Sequence, residues 1–330
     1  MSTNGLTIEQ SFTAIELCAG AGGQALGLEQ AGFKHVALVE IEKDYCKTLQ
    51  LNRPNWHVIW QDIHDFDGHP FQGNIDLVAG GVPCPPFSVA GKQLGKDDER
   101  DLFPEAIRIV EEIKPKIVLL ENVRGLFDKK FDSYRKQIIQ SFTEIGYNTQ
   151  WYLINSADFG VPQLRPRTIL IATPIETCTF DFSPQTAKPQ TVGEALFDLM
   201  SANGWKSANE WKKSASKIAP TLVGGSKKHG GPDLGPSRAR KAWAELGIDG
   251  MGIASEAPDT NFTGMPRLTC RMAARIQGFP DEWNFFGSKT TQYRQIGNAF
   301  PPPVAKAIGE LIIKHLENEF NNCKREKRVS

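Results

Sequence analysis

The stretch TAIELCAGAGGQALGLEQAGF, residues 13–33, joins a strand pattern to a helix pattern through a glycine-rich turn. The apolar run TAIELCAG predicts a buried strand, and the rest predicts a helix that ends at Gly32. Between them, Gly20, Gly22 and Gly23 let a ligand approach the backbone and the helix N-terminus. Their spacing differs from the dinucleotide fingerprint G-x-G-x-x-G, so the turn indicates a nucleotide-like ligand of another kind.

Strand and helix patterns alternate through the first half of the chain. Further strands are predicted at 35–40, 74–80, 116–122 and 168–173, and helices at 43–52, 102–113 and 131–146. Such alternation predicts βαβ units, with a mostly parallel sheet and helices on both of its faces. In sheets of this kind ligands bind beyond the carboxyl ends of the strands.

Length and composition predict a soluble globular protein with one large and one smaller domain. The chain has 330 residues, of which 40% are hydrophobic and 23% are charged. No apolar run is long enough to span a membrane, and the first residues do not resemble a secretory signal. The six cysteines are scattered without a C-x-x-C pair, so neither a metal site nor a disulfide framework is expected. We therefore expect a reduced, cytoplasmic protein.

Charge and composition change along the chain although the net charge is zero. Residues 1–80 contain four Lys/Arg and ten Asp/Glu, whereas residues 182–241 contain ten Lys/Arg and four Asp/Glu. A phosphate backbone would be attracted to the second region, although an ordinary solvated surface explains the charges equally well. Residues 181–262 are rich in Gly, Pro, Ser and Lys, which fits either a disordered insertion or a small loop-rich domain. Its aromatic residues favour the ordered domain: Trp205, Trp211, Trp243 and Phe262.

Two carboxylates follow predicted strands near the glycine-rich turn. Glu40 ends the second strand and could accept hydrogen bonds from ribose hydroxyls. Asp62 follows the apolar run HVIWQ and could accept a hydrogen bond from an adenine amine. Either residue alone is also explained as an exposed acid at a strand end, but with the turn they favour an adenosine cofactor.

The stretch GGVPCPPFS, residues 80–88, places one cysteine among prolines directly after a predicted strand. Cys84 lies in a segment too stiff to be the interior of a helix or a central strand. This is either a tight turn with an incidental cysteine or a loop that holds a reactive thiol. Glu121 follows another predicted strand and should project from the same sheet edge, unless it caps a neighbouring helix. A thiol and a carboxyl in one pocket permit attack on an electron-poor ring.

Six sequence blocks occur together in an order typical of one enzyme family. They are ELCAGAGG (16–23), GGVPCPPFS (80–88), ENV (121–123), QLRPR (163–167), RLTCRMAARIQGFP (267–280) and YRQIGNAFPPP (293–303). The chain closely resembles the short bacterial DNA cytosine carbon-5 methyltransferases, except in about residues 181–262. The resemblance implies an α/β fold, a Rossmann-like AdoMet-dependent methyltransferase sheet with a smaller, loop-rich target-recognition domain. The implied domains are a catalytic and AdoMet-binding domain over 1–180, a target-recognition domain with a return segment over 181–288, and a C-terminal segment over 289–330 that completes the catalytic domain.

The resemblance also implies the roles of individual residues. Cys84 is the nucleophile that attacks carbon 6 of cytosine, Glu121 contacts ring nitrogen 3 and the amine, and Arg165 orients the base with support from Arg167. The implied contacts of S-adenosylmethionine (AdoMet) are Cys18, Ala19, Gly20, Gly22, Gly23, Glu40, Ile41, Asp62, Ile63, Leu102 and Asn298.

DNA contacts are expected in two parts of the chain. The resemblance places Gly91, Lys92 and Gln93 on a mobile loop that closes over DNA, with Ser88 and Arg100 near phosphates. We further expect Arg238 or Arg240 to contact a guanine in the major groove. Departures from the family pattern occur at Pro85, where Gln is common, at Cys18, where Phe is common, and at Met272, where an acid is usual.

The sequence therefore predicts an enzyme that methylates cytosine in a short sequence of double-stranded DNA. We expect it to be a monomer without membrane contact, with any cognate restriction endonuclease acting separately. Other classes stay open: a tRNA cytosine-5 methyltransferase, an exocyclic-amine DNA methyltransferase, or an inactive DNA-binding regulator. The exocyclic-amine enzymes carry a motif that resembles CPPF, but their chemistry has no use for Cys84 or Glu121.

Overall fold

The computed structural model describes residues 11–83, 101–177, 179–225 and 233–329, with side chains as far as residue 320. Within these residues seven strands form one sheet. The strands are β1 (Phe12–Leu17), β2 (Phe33–Glu40), β3 (Val58–Trp60), β4 (Leu77–Gly80), β5 (Ile117–Val123), β6 (Tyr147–Asn155) and β7 (Pro166–Pro174). The helices are α1 (Gly23–Ala31), α2 (Lys43–Asn52), α3 (Phe103–Ile113), α4 (Asp132–Glu144), α5 (Val192–Met200), α6 (Ala208–Ser214), α7 (Ser237–Ala244), α8 (Cys270–Ile276), α9 (Lys289–Asn298) and α10 (Pro302–Val329). None of the described helices is both long enough and apolar enough to cross a bilayer.

The strand order is β3-β2-β1-β4-β5-β7-β6, which confirms the predicted mostly parallel sheet. The first five strands in this order are parallel, whereas β7 runs antiparallel to both β5 and β6. The sequence prediction missed β6 because this edge strand, YNTQWYLIN, is mostly half-buried and lacks a continuous apolar run.

The two faces of the sheet bury different helices. In β5, Val118 and Leu120 join a core that includes residues of α3 and α4. Their neighbours Ile117 and Leu119 point to the other face and join a core with residues of α1 and α10. This alternation is the period-two pattern expected of a strand that is covered on both faces.

Helix α10 extends further than the sequence predicts. The run PPVAKAIGELIIKHLENEF, residues 302–320, predicts a last long helix followed by a frayed basic tail, but the helical backbone continues to Val329. Because Lys, Arg and Glu have high helix propensity, the charged composition of this tail is compatible with a continued helix.

A third core, formed mostly by residues of the second half of the chain, shows that most of residues 181–262 are ordered. Trp205, Trp211 and Trp243 are buried together with residues of α5, α6 and α8, so the described part of this region is an ordered, loop-rich unit. Residues 226–232 lie outside the described residues. The same core includes Ala21 and Leu26 of the catalytic segment, and the domain boundaries at 180 and 288 stay a prediction.

Candidate active site

The β1–α1 turn is built from residues with left-handed backbone geometry. Cys18, Gly20 and Gly22 have φ values of 53°, 57° and 80°. Gly22 caps α1, and its amide donates to the carbonyl of Ala19 at 3.0 Å. Gly23 must lack a side chain, because a Cβ there would lie 2.2 Å from the carbonyl oxygen of Phe300. The turn is therefore held between the sheet and the C-terminal part of the chain.

A cavity of about 590 Å³ lies beyond the carboxyl ends of the parallel strands, beside this turn. Ten of the eleven residues predicted to bind the cofactor line it: Cys18, Ala19, Gly20, Gly23, Glu40, Ile41, Asp62, Ile63, Leu102 and Asn298. Gly22 does not line the cavity. A Cβ at this position would lie 2.6 Å from the side chain of Leu49 and 3.0 Å from that of Trp283, so Gly22 packs against these two residues. Its part in the turn is therefore structural.

Glu40 is buried at the end of β2, where its carboxylate supports the glycine-rich turn. One oxygen accepts from the amide of Gly20 at 2.7 Å, and the other accepts from the amide of Glu42 at 2.8 Å. Burial raises the pKa of Glu40, while these hydrogen bonds oppose that rise. Glu40 thus joins the ends of β1 and β2 at the cavity wall.

Asp62 follows the neighbouring strand β3 and lines the same cavity in a more exposed position. Its Oδ1 accepts from the backbone amide of His64 at 3.0 Å and contacts the imidazole Nδ1 at 2.7 Å. These contacts with His64 lower the pKa of Asp62, so its carboxylate is ionised at neutral pH. Among the described residues Oδ2 has no hydrogen-bond partner, so it remains open to a ligand.

Several cavity-lining residues were not identified from the sequence: Glu16, Gln24, Tyr45, Arg294 and Gln295. Glu16 is the most informative, since it is only 1% exposed and burial raises its pKa well above the usual 4.5. A charged residue inside the apolar strand TAIELCAG was the available signal. Cys18 also lies close to Glu40 and Asp62, and burial with these acids raises the pKa of its thiol, which keeps it neutral.

A second cavity, of about 580 Å³, adjoins the first. Gly81, Pro83, Glu121 and Asn298 line both cavities. Asn122 donates to the carbonyl of Val82 at 2.9 Å and so holds the chain just before Pro83. The next residue in sequence is Cys84. It lies outside the described residues, as do the predicted DNA contacts Ser88, Gly91, Lys92, Gln93 and Arg100 and the departure Pro85.

Glu121 and the two arginines of QLRPR meet at the second cavity in an unexpected arrangement. Arg167 Nε lies 2.7 Å from Glu121 Oε1, and both side chains are largely buried. The guanidinium of Arg165 is instead occupied by the backbone carbonyls of Leu222, Gly297 and Ala299, at 2.9–3.0 Å. The base-orienting role predicted for Arg165 remains a prediction, and the geometry favours Arg167 for contact with Glu121.

The two arginines expected to reach DNA bases occupy different environments on α7. Arg238 is exposed. Arg240 is partly buried, with Nη2 at 3.3 Å from the hydroxyl of Ser237 and Nη1 at 3.9 Å from Asp233. Arg238 is thus the freer of the two to contact a ligand.

The departure at Met272 has a local structural explanation. The Met272 amide and sulfur complete a capping box with Thr269 at the start of α8, in which the sulfur accepts from the Thr269 amide at 3.4 Å. The thioether therefore takes the place that an acidic side chain usually has in such a box.

One surface cluster brings possible metal ligands together. Asp67, His69 and Glu112 place ligand atoms within 4.8 Å of one another. Glu112 already pairs with Arg108 at 2.6 Å, and exposed acids of this kind are common without an ion. We assign no metal to it.

Comparison with known proteins identifies the family. Residues 12–314 match the model for C-5 cytosine-specific DNA methylase. The chain belongs to this family. It is a DNA cytosine-5 methyltransferase, as the sequence predicted, and the fold prediction is confirmed.

Relatives of known name agree with this assignment. Type II methyltransferase M.NgoMIV of Neisseria gonorrhoeae is 57% identical over 93% of this chain and 99% of its own length. M.NaeI of Lentzea aerocolonigenes is 52% identical over 94% of this chain and 76% of its length. Among solved structures, a DNA modification methyltransferase encoded within an E. coli prophage has a TM-score of 0.67 at 25% identity, covering 93% of this chain and 100% of its own. The Spodoptera frugiperda DNMT2 mutant shares the fold, with a TM-score of 0.66 at 18% identity, covering 92% of this chain and 100% of its own.

Proposed function

We propose that this methyltransferase uses AdoMet to methylate one cytosine within a short, specific sequence of double-stranded DNA, as the modification half of a restriction system. The observation that carries the proposal is the shared wall of the two cavities. Pro83, Glu121 and Asn298 border both of them, and Cys84 follows Pro83 directly. A cofactor in the first cavity and a base in the second would meet beside Cys84.

The first cavity suits AdoMet because the ligand is cationic and the cavity is acidic. Glu16, Glu40 and Asp62 all line it. Glu16 Oε2 is buried without a hydrogen-bond partner among the described residues. A bound ligand could supply the missing hydrogen-bond donor. When bound, AdoMet supplies an electrophilic methyl group. Asp62 and Glu40 would hold its adenine and ribose.

The residues of the second cavity would activate the cytosine. The base must leave the duplex to be reached. The Cys84 thiolate adds to carbon 6 while Glu121 hydrogen-bonds ring nitrogen 3, which makes carbon 5 an enamine-like nucleophile. After methylation, loss of the carbon 5 proton and departure of the thiolate restore the ring. Arg167, paired with Glu121 at 2.7 Å, would fix the orientation of that carboxyl.

Sequence recognition would belong to the target-recognition domain, 181–288. Its positive excess over 182–241 is the electrostatic footprint expected of a DNA-binding surface. The names of the two Type II relatives support a restriction-modification context, in which a cognate endonuclease would act separately. We propose that the enzyme acts as a cytoplasmic monomer, with Ser88, Lys92, Gln93 and Arg100 on the DNA.

Mapping modified bases in cells that express the protein tests this proposal. We expect 5-methylcytosine at one position of a short recurring DNA sequence, and none when Cys84→Ala is expressed at the same level. Modified exocyclic amines in DNA, or 5-methylcytosine confined to tRNA, would contradict it.

A further inference from the structure

The segment that follows β5 forms the mouth of the second cavity. Val123, Asp128 and Lys130 line this cavity and are exposed. Glu121 and Arg167 line the same cavity but are largely buried. The cavity therefore runs from a buried ion pair to an opening beside Val123, Asp128 and Lys130.

Lys130 carries the accessible positive charge at this mouth. Among the described residues, the basic side chains that line the second cavity are Lys130, Arg165 and Arg167. Arg165 is 1% exposed, and its guanidinium donates to backbone carbonyls. Arg167 is paired with the carboxylate of Glu121. Of the three, only Lys130 is exposed, so it is the one whose charge an incoming ligand can reach.

A ring contact and the local backbone hold Lys130 at the edge of the cavity. Its ammonium lies 4.8 Å from the centre of the Phe131 ring, within the range of a cation–π contact. Phe131 is 7% exposed and lines the same cavity. The Phe131 amide donates to the carbonyl of Asp128 at 2.9 Å, and Arg135 of α4 donates to that carbonyl at 3.2 Å. Because the charge is already positioned, a ligand there has less side-chain freedom to remove on binding.

A nucleotide in the second cavity would bring phosphates to this mouth. Base flipping rotates the nucleotide about its backbone, so the phosphates on either side of it stay joined to the duplex outside. We propose that Lys130 binds a phosphate next to the flipped cytosine and thereby holds the nucleotide in the cavity. The inference rests on the proposed function, and it adds a DNA contact outside residues 181–262. Asp128 lies at the same mouth, where its carboxylate would repel that phosphate.

Binding to two duplexes separates this contact from ordinary surface charge. One duplex contains the site found by mapping modified bases, and the other lacks it. The contact forms only with a nucleotide in the cavity, so Lys130→Met should weaken binding to the first duplex by roughly five- to tenfold at 0.1 M salt. It should also reduce the slope of log affinity against log salt by about 0.9, the value for one phosphate contact. Binding to the second duplex should not change.

Three further variants control this experiment. Lys130→Arg keeps the charge and should bind both duplexes as the unmodified enzyme does. Asp128→Asn removes the repulsion and should strengthen binding to the first duplex. Lys136→Met, at an exposed position of α4 that lines neither cavity, should change neither affinity. Fluorescence anisotropy at several salt concentrations measures these affinities without requiring methyl transfer.

The outcomes separate this inference from the proposed function. Equal weakening of both duplexes by Lys130→Met, unchanged binding to the first duplex, or weaker binding by Asp128→Asn would overturn the role of Lys130, while the unmodified enzyme would still methylate its site. An unmodified enzyme that methylates no cytosine in DNA would overturn the proposed function itself.

Discussion

Asp62 offers a direct test of the cofactor cavity at the scale of one residue. Both contacts of its carboxylate with described residues fall on Oδ1, and the cavity side remains available. We expect Asp62→Ala to weaken AdoMet binding by about 1–3 kcal/mol, the usual effect of removing an acceptor from a ligand donor. DNA affinity should change much less, because the residue lies outside the second cavity. Calorimetry with AdoMet and with a duplex measures both.

The neighbouring exposed acid Asp65 provides the control for this experiment. Asp65→Ala removes one negative charge near the cavity, as Asp62→Ala does, but Asp65 does not line the cavity. The cofactor affinity of this variant should therefore match that of the unmodified enzyme. Equal effects of the two substitutions would show that general charge, and no specific contact, attracts the cofactor.

Glu16 links stability to pH in the absence of cofactor. Burial raises its pKa well above 4.5 in the folded state, so between pH 4.5 and the raised pKa the folded chain holds a proton that the unfolded chain has lost. This contribution to stability is complete below pH 4.5 and decreases as the pH rises through the folded pKa. Glu16→Gln removes the titration. We expect the variant to become more stable than the unmodified enzyme as the pH rises, by roughly 1–3 kcal/mol at pH 8.

Urea unfolding at a series of pH values measures this difference, with the exposed Glu111→Gln as control. A stability difference that stays constant from pH 4 to pH 8 would show that Glu16 does not titrate as described.

Site residues can be predicted from the sequence when their position depends on a nearby element, and not when it depends on residues far along the chain. Glu40 ends β2 and Asp62 follows β3, and the ends of parallel strands share one edge, so both residues line the first cavity. Their contacts with the cofactor stay a prediction. The arginines of QLRPR could not be assigned in this way. Arg165 is held by carbonyls 57, 132 and 134 residues away, and no local pattern encodes such contacts.

At the scale of elements, the packing of α1 against α10 depends on Gly27. A Cβ at this position would lie 2.3 Å from the carbonyl oxygen of Pro302 and 2.5 Å from the Cβ of Ala305. Gly27→Ala should therefore separate the two helices and lower the free energy of unfolding by roughly 1–3 kcal/mol. Gly125→Ala is the matched control, since a Cβ there meets no atom within 4 Å. Urea unfolding compares the two, and equal stabilities would show that the helices have room to adjust.

The elements were predicted well where their hydrophobic pattern is continuous. Strand β4 is buried and helix α3 buries one apolar face, and their patterns identified them. Strand β6 lies at the sheet edge, with several polar residues, and it was missed. The direction of β7 could not be predicted either, because it depends on β6 pairing with β7 at the edge of the sheet.

At the scale of the whole molecule, the chain separates catalysis from the region we expect to read DNA. Residues 182–241, within the exchanged segment, carry the positive excess, and no code relates such loops to a base sequence. We expect a relative of known specificity that receives residues 181–262 of this chain to methylate this chain's site. Sequencing of methylated DNA from cells expressing the hybrid identifies that site. An active hybrid that keeps the host's specificity would place recognition elsewhere.

The lysines of residues 181–262 should strengthen DNA binding whatever the base sequence of the duplex. Lys212 and Lys213 are exposed, and we expect their joint replacement by alanine to weaken binding to all duplexes and to flatten the salt dependence of binding. Arg238→Ala should instead relax the choice of methylated site while catalysis continues. Affinities at several salt concentrations, with cognate and unrelated duplexes, separate the two effects. A salt dependence unchanged by the lysine replacements would remove them from the DNA interface.

Covalent catalysis by Cys84 is the central claim, and trapping the intermediate tests it most directly. A duplex with 5-fluorocytosine at the target position cannot lose its ring substituent, so the enzyme with AdoMet should remain attached to the DNA. We predict that mass spectrometry of the digested complex finds the base on the peptide that contains Cys84, and that Cys84→Ala forms no such complex. Attachment at another residue, or trapping by the Cys84→Ala variant, would contradict the account.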